Sequence, residues 1–136
     1  MTILVIDGQG GRLGQKLVES LIEAVPEAEV IAVGTNTVAT GSMLKAGAAR
    51  AATGENAVVV CSRTADVIVG PLGIVLADAL MGEISPAMAA AVASSPAYRV
   101  LVPMNLCDTY VAGASQSYSA VINDAVAHVK ALAENA

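Results

Sequence analysis

Apolar residues recur along this chain in two patterns: unbroken runs of four or five, and stripes spaced three or four apart. Residues 2–6 (TILVI) form a continuous run that stops at Asp7-Gly8, the pattern of a strand buried on both faces of a parallel sheet. Leu13, Leu17 and Leu21 then recur every four residues, with Val18, Ile22 and Val25 beside them. That stripe predicts a helix over about 11–24, closed by Pro26. A second strand is predicted over 29–33, ended by Gly34, and a second helix over 37–46, stopped by Gly47. Residues 57–61 have strand propensity, yet Thr53 can cap a helix with Glu55 in its first turn. Only a few residues separate Cys61 from a better strand over 66–69, and parallel strands need a crossover of about a dozen residues. The stretch 55–63 is therefore read as a short helix and 66–69 as the third strand. Helices are predicted over 74–81 and 86–94, the latter with Ser85 as cap and Pro86 at its first position. A fourth strand over 99–102, a short fifth over 109–112 and a helix over 116–134 complete the chain. The last helix carries the stripe Val121, Ile122, Ala125, Val129 and Leu132.

Strands alternating with helices predict an α/β fold. The expected form is a single domain over residues 1–136: a Rossmann-like three-layer sandwich with a mostly parallel sheet of about five strands, in the order 2-1-3-4-5. Ligands of such sheets sit at the carboxyl ends of the strands where the order reverses. Here that place lies between the ends of the first and third strands, and it holds DGQGGRLG and GPLGI.

Composition narrows the function. Only 14% of the residues are charged and 55% are hydrophobic, with a mean hydropathy of +0.65. That is little charge for the surface of a small domain, so apolar area is expected to meet another subunit in a homo-oligomer. The net charge of −5 and the absence of Trp and Phe argue against nucleic acid as a partner. Cys61 and Cys107 lack metal-ligand spacing, so both are read as plain thiols and no metal is expected. Asp7 and Arg12 interrupt the N-terminal apolar stretch, and the longest weakly charged stretch holds Asp78, Glu83, prolines and glycines. Neither a signal peptide nor a membrane span is expected, which leaves the cytoplasm as the default location.

The chemistry concentrates in the first glycine loop. Gly8, Gly11 and Gly14 are spaced GxxGxxG between strand and helix, with Gly10 as a fourth glycine. Glycines let the backbone turn sharply and approach a ligand, and the first amides of the helix then face an anion. The alternative is a tight turn that holds nothing. The form G-x-x-G-R-x-G resembles the nucleotide-binding loop of the extended and atypical short-chain dehydrogenase/reductase families. That resemblance covers the first strand, loop and helix. It implies that Gly8, Gln9, Gly10, Gly11, Arg12, Leu13 and Gly14 hold the pyrophosphate of NADP or NAD, with Arg12 near a 2′-phosphate. The end of the second strand offers Thr35 and Asn36 and no acid for the ribose, which tilts the expectation toward NADP. The Tyr-x-x-x-Lys pair of those reductases is absent.

Asp7 stands against this reading, because a carboxylate within about 5 Å of a pyrophosphate repels it by a kcal/mol or more. It can instead brace the turn through loop amides, hold Mg²⁺ with phosphate oxygens, or indicate a different ligand. Gly70, Pro71 and Gly73 form a second loop that would flank the nicotinamide side, or a plain turn. Asn105, Asp108 and Thr109 follow the fourth strand toward the same edge. Cys107 has no histidine near it in sequence, and the one histidine, His128, is read as a surface partner of Asp124. Glu55 is a general-base candidate or simply a first-turn acid. Asp7, Glu55 and Asn105 together make a weak catalytic set around a phosphorylated substrate.

Taken whole, the stretches DGQGG, GTN, TGENA, DVIVGP.GI and GEISP.MA (residues 7–11, 34–36, 53–57, 66–74 and 82–89) resemble a small uncharacterised bacterial family, a domain of unknown function with a Rossmann-like fold. That resemblance implies the fold and supplies no activity. The functional expectation is a nucleotide-binding module, a sensor or accessory subunit. A small enzyme and a structural domain without ligand are the alternatives.

Overall fold

The computed structural model describes residues 1–104 and 108–136. The chain runs β1 (Thr2–Asp7), α1 (Arg12–Ala24), β2 (Glu29–Gly34), α2 (Thr37–Lys45), β3 (Arg50–Thr53), α3 (Glu55–Ser62), β4 (Val67–Pro71), a 3-10 turn (Leu72–Val75), α4 (Pro86–Ala93), β5 (Tyr98–Val102) and α5 (Tyr118–Glu134). The five strands form one sheet in the order β3-β2-β1-β4-β5, every pairing parallel.

Because successive strand residues face opposite sides, each apolar run feeds two cores. Ile3 and Val5 of β1, with Val67 and Val69 of β4, pack under Leu13, Leu17, Val18 and Leu21 of α1, Met43 of α2, and Ile122 and Val129 of α5. Leu4 and Ile6, with Ile31, Val33 and Ile68, face Val58 of α3, Met88 and Val92 of α4, and Ile74, Leu80 and Ile84 between β4 and α4. The result is the α/β three-layer arrangement expected from the alternation. The stripes of α1 and α5 lie on the buried side.

Four expectations are corrected. The strand Arg50–Thr53 was not predicted. It is a short edge strand of mostly exposed residues, so its sequence, RAAT, carries no burial signal. It lies outside β2, and the order 2-1-3-4-5 becomes 3-2-1-4-5 while the four strands common to both keep their neighbours. Residues 109–112 do not form a strand. The expected helix over 74–81 is only the 3-10 turn, followed by turns in which Asp78, Leu80 and Met81 have φ of 67°, 56° and 57°. Three such residues in the left-handed region cannot continue a right-handed helix. Finally, α3 is capped by Gly54 without a side-chain bond. Thr53 belongs to β3, and its hydroxyl lies 2.6 Å from that of Thr40.

Candidate functional site

The carboxyl end of β1 is built around Asp7, which is 3% exposed. Its Oδ1 accepts from the Gly8 amide at 2.8 Å and its Oδ2 from the Gly14 amide at 2.7 Å. The acid thus bridges the end of the strand and the first turn of α1. Burial pushes its carboxyl above the ordinary value of 3.8; the two amide bonds oppose the rise and the charge of Glu83 adds to it. With both oxygens engaged, Asp7 is a brace. Its geometry gives no support to a role as Mg²⁺ ligand or general base.

The glycines are needed for close packing. Gly11 caps α1 at φ 73°, and a Cβ there would lie 2.7 Å from the Ala39 Cα. A Cβ on Gly14 would lie 2.6 Å from the Met43 sulfur and 2.8 Å from the Asp7 Cβ. A Cβ on Gly8 would meet the Thr35 hydroxyl at 2.6 Å and Leu80 at 2.9 Å. Gly10 is different: it is exposed, and a Cβ on it would have nothing within 4 Å.

The pattern did not single out Glu83 as a site residue. It reaches the loop from the segment that follows the left-handed turn. Its Oε1 accepts from the Gln9 amide at 2.9 Å, the Thr35 hydroxyl at 2.6 Å and the Asn36 side-chain amide at 2.8 Å. Desolvation raises its pKa, but the Thr35, Gln9 and Asn36 bonds outweigh that and hold the carboxyl below its ordinary 4.5. The one sequence signal was isolation, since Asp78 and Glu83 are the only acids between Val67 and Arg99.

Four amides of the loop therefore have internal partners: Gly8 and Gly14 on Asp7, Gln9 on Glu83, and Gly11 on the Gly8 carbonyl at 2.9 Å. The amides of Gly10, Arg12 and Leu13 have no partner among the described residues. The Leu13 side chain is in the core and that of Arg12 is exposed. Thr35 also donates its own amide to the Asp7 carbonyl at 3.0 Å. Asn36 caps α2 by accepting from the Ala39 amide and donates to the Gln9 carbonyl, each at 2.9 Å.

The second loop is more structural than expected. Gly70 lies inside β4, where a Cβ would clash with the Ile6 carbonyl oxygen; Pro71 ends that strand and Gly73 is buried in the 3-10 turn. Glu55 begins α3 and accepts from the Ser85 hydroxyl at 3.0 Å, with no bond to Asp7. Asn105 and Cys107 lie outside the described residues. His128 meets Tyr98, not Asp124: its Nε2 lies 3.2 Å from the tyrosine oxygen and the rings are 5.5 Å apart. Among the described residues no helix is long and apolar enough to cross a membrane.

Two cavities lie away from this loop. One of about 420 Å³ is lined by β5, α5 and the segment before α5, including Met104, Val121 and His128. Another of about 380 Å³ lies between β2, β3 and α3, against Ile31, Val33, Ala52 and Val60.

The chain belongs to the family described as a domain of unknown function, DUF3842, whose model matches residues 2–134. No curated protein matches it in sequence. Among solved structures it is similar to a dodecameric FMN-dependent UbiX-like decarboxylase from Escherichia coli O157:H7. The two share 16% identity over 95% of this chain and 91% of that one, with a TM-score of 0.46.

Proposed function

We propose that this DUF3842 chain is a nucleotide-binding module, whose ligand places its phosphate groups on the amides of Gly10, Arg12 and Leu13. The observation that carries this reading is the set of unfilled amides at the start of α1, beside the open face of Gly10, at the carboxyl end of the sheet's central strand. Helix-start amides and the helix dipole favour an anion there, and Arg12 adds the one positive side chain of the loop. NAD, NADP and related adenine nucleotides are the ligands to test. The module works as a homo-oligomer on this reading. The chain's scarcity of charge and the exposed Val38 and Leu44 of α2 and Val60 of α3 support apolar contact between copies.

One observation favours a second reading, a scaffold that binds nothing at this loop: Asp7 and Glu83 already satisfy three of its amides and bring negative charge close to the remaining ones. Thermal-shift and calorimetric titration with NAD, NADP, ATP, FAD and S-adenosylmethionine separate the two. The test variant is Gly10→Asp, which adds an acid in open space without touching the packing. Binding by the native chain that weakens at least about tenfold in Gly10→Asp, with unchanged unfolding, supports the nucleotide reading. No binding across the set leaves the scaffold.

A further inference from the structure

We propose that Glu83 is the specificity-determining residue of this site: it accepts the hydroxyls of an unmodified ribose and rejects a ribose that carries a 2′-phosphate. The inference rests on the reading above, in which the nucleotide's phosphate groups occupy the free amides of the loop.

Glu83 bridges two segments. Its Oε1 is fixed by three donors, from Gln9 in the loop after β1 and from Thr35 and Asn36 just beyond β2. In a parallel sheet with phosphates seated at the start of α1, the nucleotide sugar falls between those two segments. Three donors saturate one carboxylate oxygen and leave the group little freedom to turn. Its Oε2 has no partner among the described residues, and the side chain is half-exposed. A fixed carboxylate with one open oxygen accepts hydrogen bonds from vicinal hydroxyls, and such charge-assisted bonds are stronger than neutral ones.

The end of β2 offers Thr35 and Asn36 and no acid. The fold supplies one from elsewhere. Leu80, Met81 and Gly82 all have positive φ, of 56°, 57° and 89°, and this left-handed turn precedes Glu83. Leu80 is held in the core beneath it. The acid missing from the strand end in sequence is thus present in space.

A 2′-phosphate would bring its negative charge against Glu83 at hydrogen-bonding distance. Arg12 is exposed at the first turn of α1 and makes no bond to Glu83. Like charges a few ångströms apart at a protein surface are expected to weaken binding by about tenfold or more. The preference read from the sequence, NADP over NAD, is therefore reversed.

Isothermal titration of the native chain and of Glu83→Gln with NAD⁺, NADP⁺ and ADP tests this. Glutamine keeps an oxygen for the three donors, and the thermal midpoint of the variant verifies its fold. The native chain is expected to bind NAD⁺ at least about tenfold more tightly than NADP⁺, and Glu83→Gln to bring the two affinities within about twofold. Equal native affinities, or a ratio unchanged in Glu83→Gln, overturn the role of Glu83 and leave nucleotide binding standing. Absence of binding by all three ligands to the native chain overturns both.

Discussion

Removing the carboxylate of Asp7 tests what holds the loop in its shape. Asp7→Ala takes the acceptor away from the Gly8 and Gly14 amides, which it holds at 2.8 and 2.7 Å. Both glycines are buried, so water does not readily replace the lost partner. Each orphaned buried donor costs about 1–3 kcal/mol, so the two together cost about 2–6 kcal/mol. Part of that is offset because the substitution also removes a buried charge, one that burial and Glu83 already disfavour. The expected net loss is about 2–4 kcal/mol in urea unfolding near neutral pH. Asp7→Asn keeps one acceptor and turns an NH₂ group toward the other amide, so its loss is expected at about half that. The pH dependence gives an independent check. The folded-state pKa of Asp7 is raised above 3.8, so its stabilising contribution is full below 3.8 and is lost as pH rises through the raised folded value. Glu83 is the reverse: its folded value is lowered from 4.5, so its contribution is present above 4.5 and is lost as pH falls through the lowered value. The native chain carries both slopes, in opposition. Asp7→Asn leaves only that of Glu83, and its stability is expected to fall more steeply than the native chain's on acidification. A stability for Asp7→Ala within about 0.5 kcal/mol of native would refute the brace, and parallel pH profiles for Asp7→Asn and the native chain would refute the burial-raised pKa of Asp7.

Other substitutions probe the packing around the same edge. An alanine in place of a helical glycine normally stabilises by about 1 kcal/mol, but Gly14→Ala is expected to cost about 1–3 kcal/mol because its methyl meets Met43 and Asp7; a raised urea midpoint would show that the contact relaxes freely. Gly11→Val is expected to cost about 3 kcal/mol or more, since φ is 73° and the new Cβ meets the Ala39 backbone; near-native unfolding would contradict that geometry. Met81 is 94% exposed at φ 57°, so Met81→Gly loses no packing and should gain about 0.5 kcal/mol by relieving the left-handed backbone. A lowered midpoint in Met81→Gly would argue that the turn is not strained.

Much of the fold was legible in local pattern. The continuous runs of β1 and β4 and the four-residue stripe of α1 repeat at the period of the element they form, so neighbours in sequence suffice to identify them. The short helix Glu55–Ser62 was read correctly against its strand propensity, because chain reach forbids two parallel strands so close together. Where periodicity was absent, the reading failed. The edge strand β3 is exposed and has no apolar run to betray it. Residues 74–81 have helical composition, but left-handed φ values at Asp78, Leu80 and Met81 depend on what those residues meet in the second core.

The candidate site divides along the same line. The glycine spacing and the acid before it could be read directly, and bracing was among the roles open to Asp7, because its partners Gly8 and Gly14 are close in sequence. Thr35 and Asn36 were found from their place at a strand end. Glu83 was not, since its bonds span 74 residues to Gln9, 48 to Thr35 and 47 to Asn36.

What the sequence by itself determined is four of the five strands and the helices α1 to α5 that cover them, and the loop where Gly8, Gly11 and Gly14 let the backbone turn and pack closely. Those depend on alternation, spacing and the absence of a Cβ, all properties of a short stretch of chain. Only the tertiary structure decided which loop amides remain free and which acid stands over them. Hydrogen bonds are directional and short in range, so the partner of a donor is set by which distant segment the packing of two cores brings within about 3 Å.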